Sequence, residues 1–184
     1  MMKSILISIR PQCVEKIARG EKTIEVRKTA PQEVPFKAYI YCTKEKKQDD
    51  IIWAGVCGDR GKWNGRVIGE FICDKVERLE EHIEQGGLYY ILSDTFNEQA
   101  QLDNWELHDY GKGKTLYGWH ISDLKIYDRP KELSEFYTNK KCNSCKKSGY
   151  ESTACMYDED CKAPMSITRP PQSWQYIEDL GEKE

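Results

Sequence analysis

Hydrophobic and polar positions alternate from Ser4 to Ile9, which predicts a first β-strand. Pro11 then opens a helix at the one position where its missing N–H costs nothing. In PQCVEKIAR the apolar Val14, Ile17 and Ala18 fall at i, i+3 and i+4, so the helix buries one face, and Gly20 closes it as a left-handed cap. The next stretch, GEKTIEVRK, returns to a period of two. TAPQEVP reads as a loop because of its two prolines, and FKAYIYCTK as a third strand. From Lys44 to Arg66 the pattern dissolves into charges and glycines, a long excursion that ends in a tight Asn64-Gly65 reversal. RVIGEFICDKVERL resumes alternation. Residues 77–109 are polar, and Leu79, Ile83, Tyr89, Tyr90 and Leu92 keep no strand period, which predicts short helices there. TLYGWHISDLKIYD restores strands, KELSEFY predicts a brief helix, and RPPQSWQYIEDL starts extended because its prolines forbid a helix. Five or six short strands with few helices predict a mainly β, α+β fold: a small closed barrel with flanking helices.

The strand within GEKTIEVRK raises a chemical question, since Thr23, Glu25 and Arg27 alternate with Ile24 and Val26 and so share one face. That face is either simply solvated or the lining of a site. A carboxylate between the cations Lys22 and Arg27 is likewise either a self-satisfied salt bridge, worth little if exposed, or a cradle for a ligand.

Composition narrows the partners. With 28 Lys and Arg against 31 Asp and Glu, the net charge of -3 is not the basic surface that sequence-independent binding of duplex DNA calls for, so any nucleic-acid contact must be local. Eleven Tyr and five Trp mark a globular chain. The five-residue apolar-leaning run near the start, interrupted by Arg10 and Pro11, is too short for a signal core or a membrane span, so a cytoplasmic protein without membrane attachment is expected.

Of the eight cysteines, Cys13, Cys42, Cys57 and Cys73 sit singly inside apolar or turn segments and read as buried thiols. The other four, Cys142, Cys145, Cys155 and Cys161, are spaced C-x2-C-x9-C-x5-C in CNSCKKSGYESTACMYDEDC. A pair separated by two residues can bind one ion from a tight turn, and a second pair completes the tetrahedron that structural Zn²⁺ prefers. Two disulfides, or four unrelated thiols, are the competing readings. With all four ligands from protein, the expected zinc is structural, and Lys140, Lys141, Lys146 and Lys147 stand in sequence where they can offset its thiolate charge or meet phosphates. The organisation expected is a barrel over residues 1–138, a four-cysteine zinc knuckle over 139–163, and a last strand with tail over 164–184.

SIRPQCVEKIARGEKTIEVRK, with YIYCTK, VIGEFICDKV, YGWHISD and PPQSWQYIE after it, resembles the ASCH domain of the PUA-like superfamily. The mark is a helix leading into G-x-K-x-x-E-x-R, here Gly20, Lys22, Glu25 and Arg27, and the resemblance runs over most of residues 3–128 and again over about 164–178. It implies a PUA-like β-barrel with a cleft at its mouth that binds RNA or a modified nucleotide. It also implies that the polar face of the second strand turns toward that cleft, so that Lys22, Glu25 and Arg27 line it. Arg10 joins them as a candidate ligand residue. Tyr41, Trp119 and Trp174 are candidates for stacking on a base, with ordinary core packing the competing role for each.

Some ASCH proteins are amidohydrolases on acylated cytidine with a motif resembling G-x-K-T-x-T-x-R. Here Glu25 occupies the position of the nucleophilic Thr, so an enzyme would have to work through Lys22, Thr23 and Glu25 alone, as a hydrolase on a modified cytidine or as a ribonuclease. His82, His108 and His120 are isolated in sequence and complete no catalytic constellation. The first expectation is therefore a nucleotide-binding module, the second a hydrolase, and the third an interaction protein that meets a protein partner through the cysteine knuckle.

Overall fold

Strand β1 (Lys3–Ile9) is buried from Ser4 onward, and the reason lies in its two faces. In the computed structural model, which describes residues 2–44, 60–84, 87–90, 92–93, 95–141 and 164–178, Ile5, Ile7 and Ile9 join one apolar cluster with Phe36, Ala38 and Ile40. Leu6, between them, joins a second with Tyr39, Tyr41, Phe136 and Ile177. A strand covered on both sides needs apolar residues in both registers, as SILISI provides.

Helix α1 (Pro11–Ala18) begins at Pro11 and buries Val14 and Ile17. Gly20, at φ +74°, turns the chain out of it, its N–H donating to the Ile17 carbonyl at 2.9 Å. A side chain at that φ is strained, which is why glycine stands there. The turn delivers the chain into β2 (Ile24–Arg27), after which β3 (Phe36–Cys42) returns parallel to β1.

The helix α2 (Arg60–Trp63) and the Asn64-Gly65 turn lead into β4 (Val67–Cys73). Then follow β5 (Val76–Leu79), β6 (Glu81–Glu84), β7 (Gly87–Tyr90), α3 (Phe96–Ala100), α4 (Asn104–Gly111), β8 (Leu116–His120) and β9 (Ser122–Lys131). A 3-10 turn at Leu133–Glu135 precedes β10 (Tyr137–Lys141), and β11 (Pro164–Ser166) and β12 (Trp174–Ile177) complete the described chain. One sheet of seven strands has the order β11-β10-β12-β1-β3-β4-β9, a second has β2-β8-β5, and β6 pairs with β7.

Two expectations need correction. Among the described residues the barrel does not close and there are twelve strands in place of five or six. The long alternating runs are each cut by a corner. RVIGEFICDKVERL breaks at Asp74-Lys75, so that β4 stays in the large sheet while β5 joins the small one. The segment around His120-Ile121-Ser122 does the same for β8 and β9, with Asp123 at φ +47°. Strands that switch sheets at corners give two sheets packed across a common core, barrel-like in outline but open at the edges. Second, the helices predicted for residues 77–109 occur only in its latter part, because residues 81–84 and 87–90 form the β6–β7 ladder, Glu81 facing Tyr90 and Glu84 facing Gly87. The brief helix of KELSEFY is the 3-10 turn.

The small sheet packs on α3 and α4 through a third cluster of Ile24, Val26, Leu79, Phe96, Leu107 and Leu116. Gly111, the last residue of α4, is wholly enclosed there: a Cβ on it would lie 1.9 Å from the Tyr90 hydroxyl. No helix among the described residues is long and apolar enough to cross a membrane.

Candidate ligand-binding cleft

The C-terminal ends of the parallel strands β1 and β3, the start of α1 and the middle of β2 meet at a cleft of about 1440 Å³, walled on another side by α4 and on a third by the segment preceding β12. That last wall is tied to β1: the Ser8 N–H donates to the Ser173 carbonyl at 2.9 Å and its hydroxyl to the Pro171 carbonyl at 2.6 Å.

Lys22, Glu25 and Arg27 come together in this cleft, where Glu25 is 5% and Lys22 2% exposed. The Arg27 Nη2 stands 3.0 Å from the Glu25 Oε1, and the Lys22 Nζ 3.5 Å from its Oε2. Each cation is also anchored to backbone. Lys22 donates to the Ala100 carbonyl at the end of α3 at 2.5 Å, and Arg27 to the Ser8 carbonyl at 2.6 Å. Two cations thus share one carboxylate, leaving the buried group net positive. Its hydrogen bonding is incomplete, for Glu25 Oε2 and Arg27 Nε are buried with no hydrogen-bond partner. Groups left in that state raise the free energy of the empty site and reward a ligand that pairs them.

Arg10 and Tyr41 also line the cleft, Arg10 exposed and Tyr41 nearly covered. Burial pushes the Tyr41 hydroxyl pKa up. Cys13, half-buried in the same wall, has its thiol pKa raised by burial first and by the Glu25 carboxylate second, against the pull of Lys22 and Arg27. Overall the cleft is lined by the six cations Arg10, Lys22, Arg27, Lys28, Lys44 and Lys112, against Glu25, Glu106, Asp109 and Glu132. The chain is negative; the cleft is locally positive.

Two aromatic candidates lie elsewhere. Trp119 is wholly buried in the main core, edge-on to Phe36 with ring centres 5.2 Å apart, and presents no face on which a base can stack. Of the two roles open to Trp119 it takes core packing, because β8 is covered on both sides. Trp174 does not line the cleft; it is half-buried, packs edge-on against Trp119 and Tyr176, and donates its indole N–H to the Thr29 hydroxyl at 3.0 Å. Thr23 is exposed and outside the lining as well, its backbone bonded to Gln99 and Ile121. Of the candidate trio Lys22, Thr23 and Glu25, only the first and last share the cleft. His120 bonds to Glu77 at 2.9 Å on the small sheet, away from it.

Sequence reasoning missed the α4 wall: Trp105, Glu106, Asp109 and Tyr110 all line the cleft. A signal for it existed. Asp103 and Glu106 form a capping box, Glu106 N–H donating to the Asp103 carboxylate at 2.7 Å and Asp103 N–H to the Glu106 carboxylate at 2.9 Å. A D-x-x-E in QLDNWELHDY predicts a helix starting there, with Trp105 in its first turn.

Cys142, Cys145, Cys155 and Cys161 lie outside the described residues, as does Cys57. Among the described residues no three His, Cys, Asp or Glu side chains gather closely enough to hold a metal ion. Cys42 and Cys73 are buried, as their sequence settings suggested, and burial pushes the Cys73 thiol up to about 12.

No family model matches the sequence, and neither does any curated protein. Solved structures do. The crystal structure of ASCH from Zymomonas mobilis is 16% identical with a TM-score of 0.50, over 96% of this chain and 88% of that one. A single-substitution mutant of the same protein aligns with a TM-score of 0.53 at 17% identity, over 96% of this chain and 91% of its own. The chain therefore shares its fold, nearly end to end, with the ASCH protein of Zymomonas mobilis, the mainly β architecture that its helix-to-strand motif suggested.

Proposed function

We propose that the cleft recognises a nucleotide, in single-stranded RNA or as a modified base, by binding and without turnover. The observation that carries this is a buried pair short of hydrogen bonds: Glu25 Oε2, which has only the Lys22 ammonium at 3.5 Å, and the Arg27 Nε, which has no acceptor. A carboxylate oxygen accepts from the amino edge of a base such as cytosine, and a guanidinium pairs with a carbonyl or a phosphate. The positive lining suits the phosphate, and the fold shared with an ASCH protein supports the same reading by analogy of architecture. A hydrolase is disfavoured by the residues themselves. Lys22 is tied to Ala100 and Glu25, Thr23 stands outside the cleft, and the Glu25 carboxylate is itself engaged by Lys22 and Arg27.

The cysteine segment is proposed as a separate structural zinc site on Cys142, Cys145, Cys155 and Cys161, a reading that rests on their spacing alone.

The test is a thermal-shift screen of nucleosides, nucleotides and short RNAs, followed by calorimetry on the hits, since a ligand that binds only the native state must raise the melting temperature. Glu25→Gln keeps the shape but replaces an acceptor with a donor, and affinity is expected to fall about 5- to 150-fold. Arg10→Ala, at an exposed lining position, weakens phosphate-bearing ligands without changing the melting temperature of the free protein. Multiple turnover of any acylated cytidine or RNA by the wild type, abolished in Glu25→Gln with binding intact, overturns the binding reading in favour of the hydrolase.

A further inference from the structure

Trp105 is 74% exposed, the most exposed large apolar side chain among the described residues. Single apolar residues on a surface are ordinary and carry no function by themselves. This one differs in its position and in its support. It lines the cleft, on a wall that the Lys22–Glu25–Arg27 group does not occupy. The helix beneath it is held at both ends: the Asp103–Glu106 capping box closes its start, while Leu107 and Gly111 are buried and Gly111 lies against the Tyr90 ring. Tyr90 in turn donates to the Lys114 carbonyl at 3.0 Å, just past the helix. The indole is therefore a large flat surface on a fixed base, and little backbone ordering is needed for a planar group to settle on it.

Two more features say what that group is. The cleft, at about 1440 Å³, exceeds the roughly 300–1,000 Å³ of a pocket for one small molecule. Exposed cations stand on several of its elements, Arg10 at the start of α1, Lys44 beyond β3 and Lys112 after α4, in a chain whose net charge is -3. A basic groove with an exposed aromatic on a rigid element is how unpaired nucleic-acid strands are held, because every base has a π-face and every linkage a phosphate. An apolar peptide would use the indole but leave the cations without counter-charges.

We propose that Trp105 is a second base-stacking subsite, so that the cleft takes at least two consecutive nucleotides of a single strand: one base at Glu25 and Arg27, and a neighbouring base on the indole. This rests on the nucleotide reading given above and extends it from one residue of ligand to a strand.

The experiment compares 5′-CMP, 5′-AMP and 5′-UMP with the hexaribonucleotides C6, A6 and U6 by calorimetry, on the full chain and its Trp105→Ala, Trp105→Phe and Glu25→Gln variants. The best hexamer is expected to bind more tightly than its mononucleotide. Trp105→Ala should lower hexamer affinity about 5- to 150-fold while leaving mononucleotide affinity within twofold, and Trp105→Phe should restore most of the loss. Because Trp105 is exposed, its variants should melt with the wild type. Hexamer affinity should also fall more steeply with salt than mononucleotide affinity. If Trp105→Ala leaves hexamer affinity unchanged while Glu25→Gln lowers it, the stacking subsite is refuted and the nucleotide reading survives. If none of the six probes binds, the stacking subsite is refuted, and the screen of modified nucleosides alone decides the nucleotide reading.

Discussion

Arg27 joins β2 to β1 with a single nitrogen: its Nη2 lies 3.0 Å from the Glu25 carboxylate and 2.6 Å from the Ser8 carbonyl. Ser8 is in turn bonded to Ser173 and Pro171, so one guanidinium connects the site's carboxylate to the wall formed by the last segment of the chain. Arg27→Ala removes that connection and strands the Ser8 carbonyl. Lys22 still faces Glu25, which keeps the loss below that of an uncompensated buried charge. Urea denaturation should show about 1–3 kcal/mol lost, with Arg27→Lys recovering part of it. Unchanged stability in Arg27→Ala would mean that the pair is solvated and free to part.

The seat of α4 is the second point of leverage. A methyl group at Gly111 meets the Tyr90 hydroxyl at 1.9 Å, inside the small core, so Gly111→Ala should destabilise by about 1–3 kcal/mol. Tyr90→Phe removes the obstructing oxygen, and the double variant should cost less than the sum of the two single changes. Strict additivity in a thermal-melt cycle would argue against this contact.

Cys13 reports on the charge state of the cleft. Its thiol is held above the ordinary range by burial and then by Glu25, so less of it is thiolate at neutral pH and alkylation by iodoacetamide should be slow, with a pH midpoint above that of a cysteine in an unfolded peptide. Glu25→Gln removes the raising carboxylate and leaves Lys22 and Arg27, which lower the pKa. The midpoint should then move down and the rate at pH 7.5 rise. Mass mapping of the Cys13 peptide gives the rate at this thiol alone, and a nucleotide in the cleft should slow it. An identical midpoint in both proteins would place Cys13 beyond the influence of Glu25.

Zinc is expected at one ion per chain in protein purified without chelator, and Cys142→Ser should abolish it. Atomic emission finding no metal, together with a mass short of four hydrogens for two disulfides, would rule the site out. Removal of the ion should leave nucleotide affinity unchanged, since the described cleft uses none of these cysteines.

The elements legible in the chain were those whose signals are local. β1, α1, its Gly20 cap, β2 and β3 lie where periodicity and Pro11 put them, and Glu25 and Arg27 lie in a cleft, as the family resemblance implied and the polar face alone left open. What escaped depends on distant partners. Nothing within residues 81–90 announces a ladder that exists because Glu81 finds Tyr90, and alternation runs unbroken through corners where the chain changes sheets. Trp119 and Trp105 show the same limit from opposite sides. Both are tryptophans in mixed sequence, and only the layers packed around β8 bury one while the solvent around the first turn of α4 leaves the other bare.

The pairing of β10 with β11 sets two residues distant in sequence side by side. Lys141 faces Pro164 across an antiparallel ladder, so the chain leaves the large sheet and rejoins it at one place. Whatever length of chain runs between those two residues, the register of the other strands is untouched, and the entropic penalty for lengthening it grows only with the logarithm of its size. Lys141 and Pro164 therefore act as a stem: a change of length confined to the chain between them should leave the cleft, which neither residue lines, as it is.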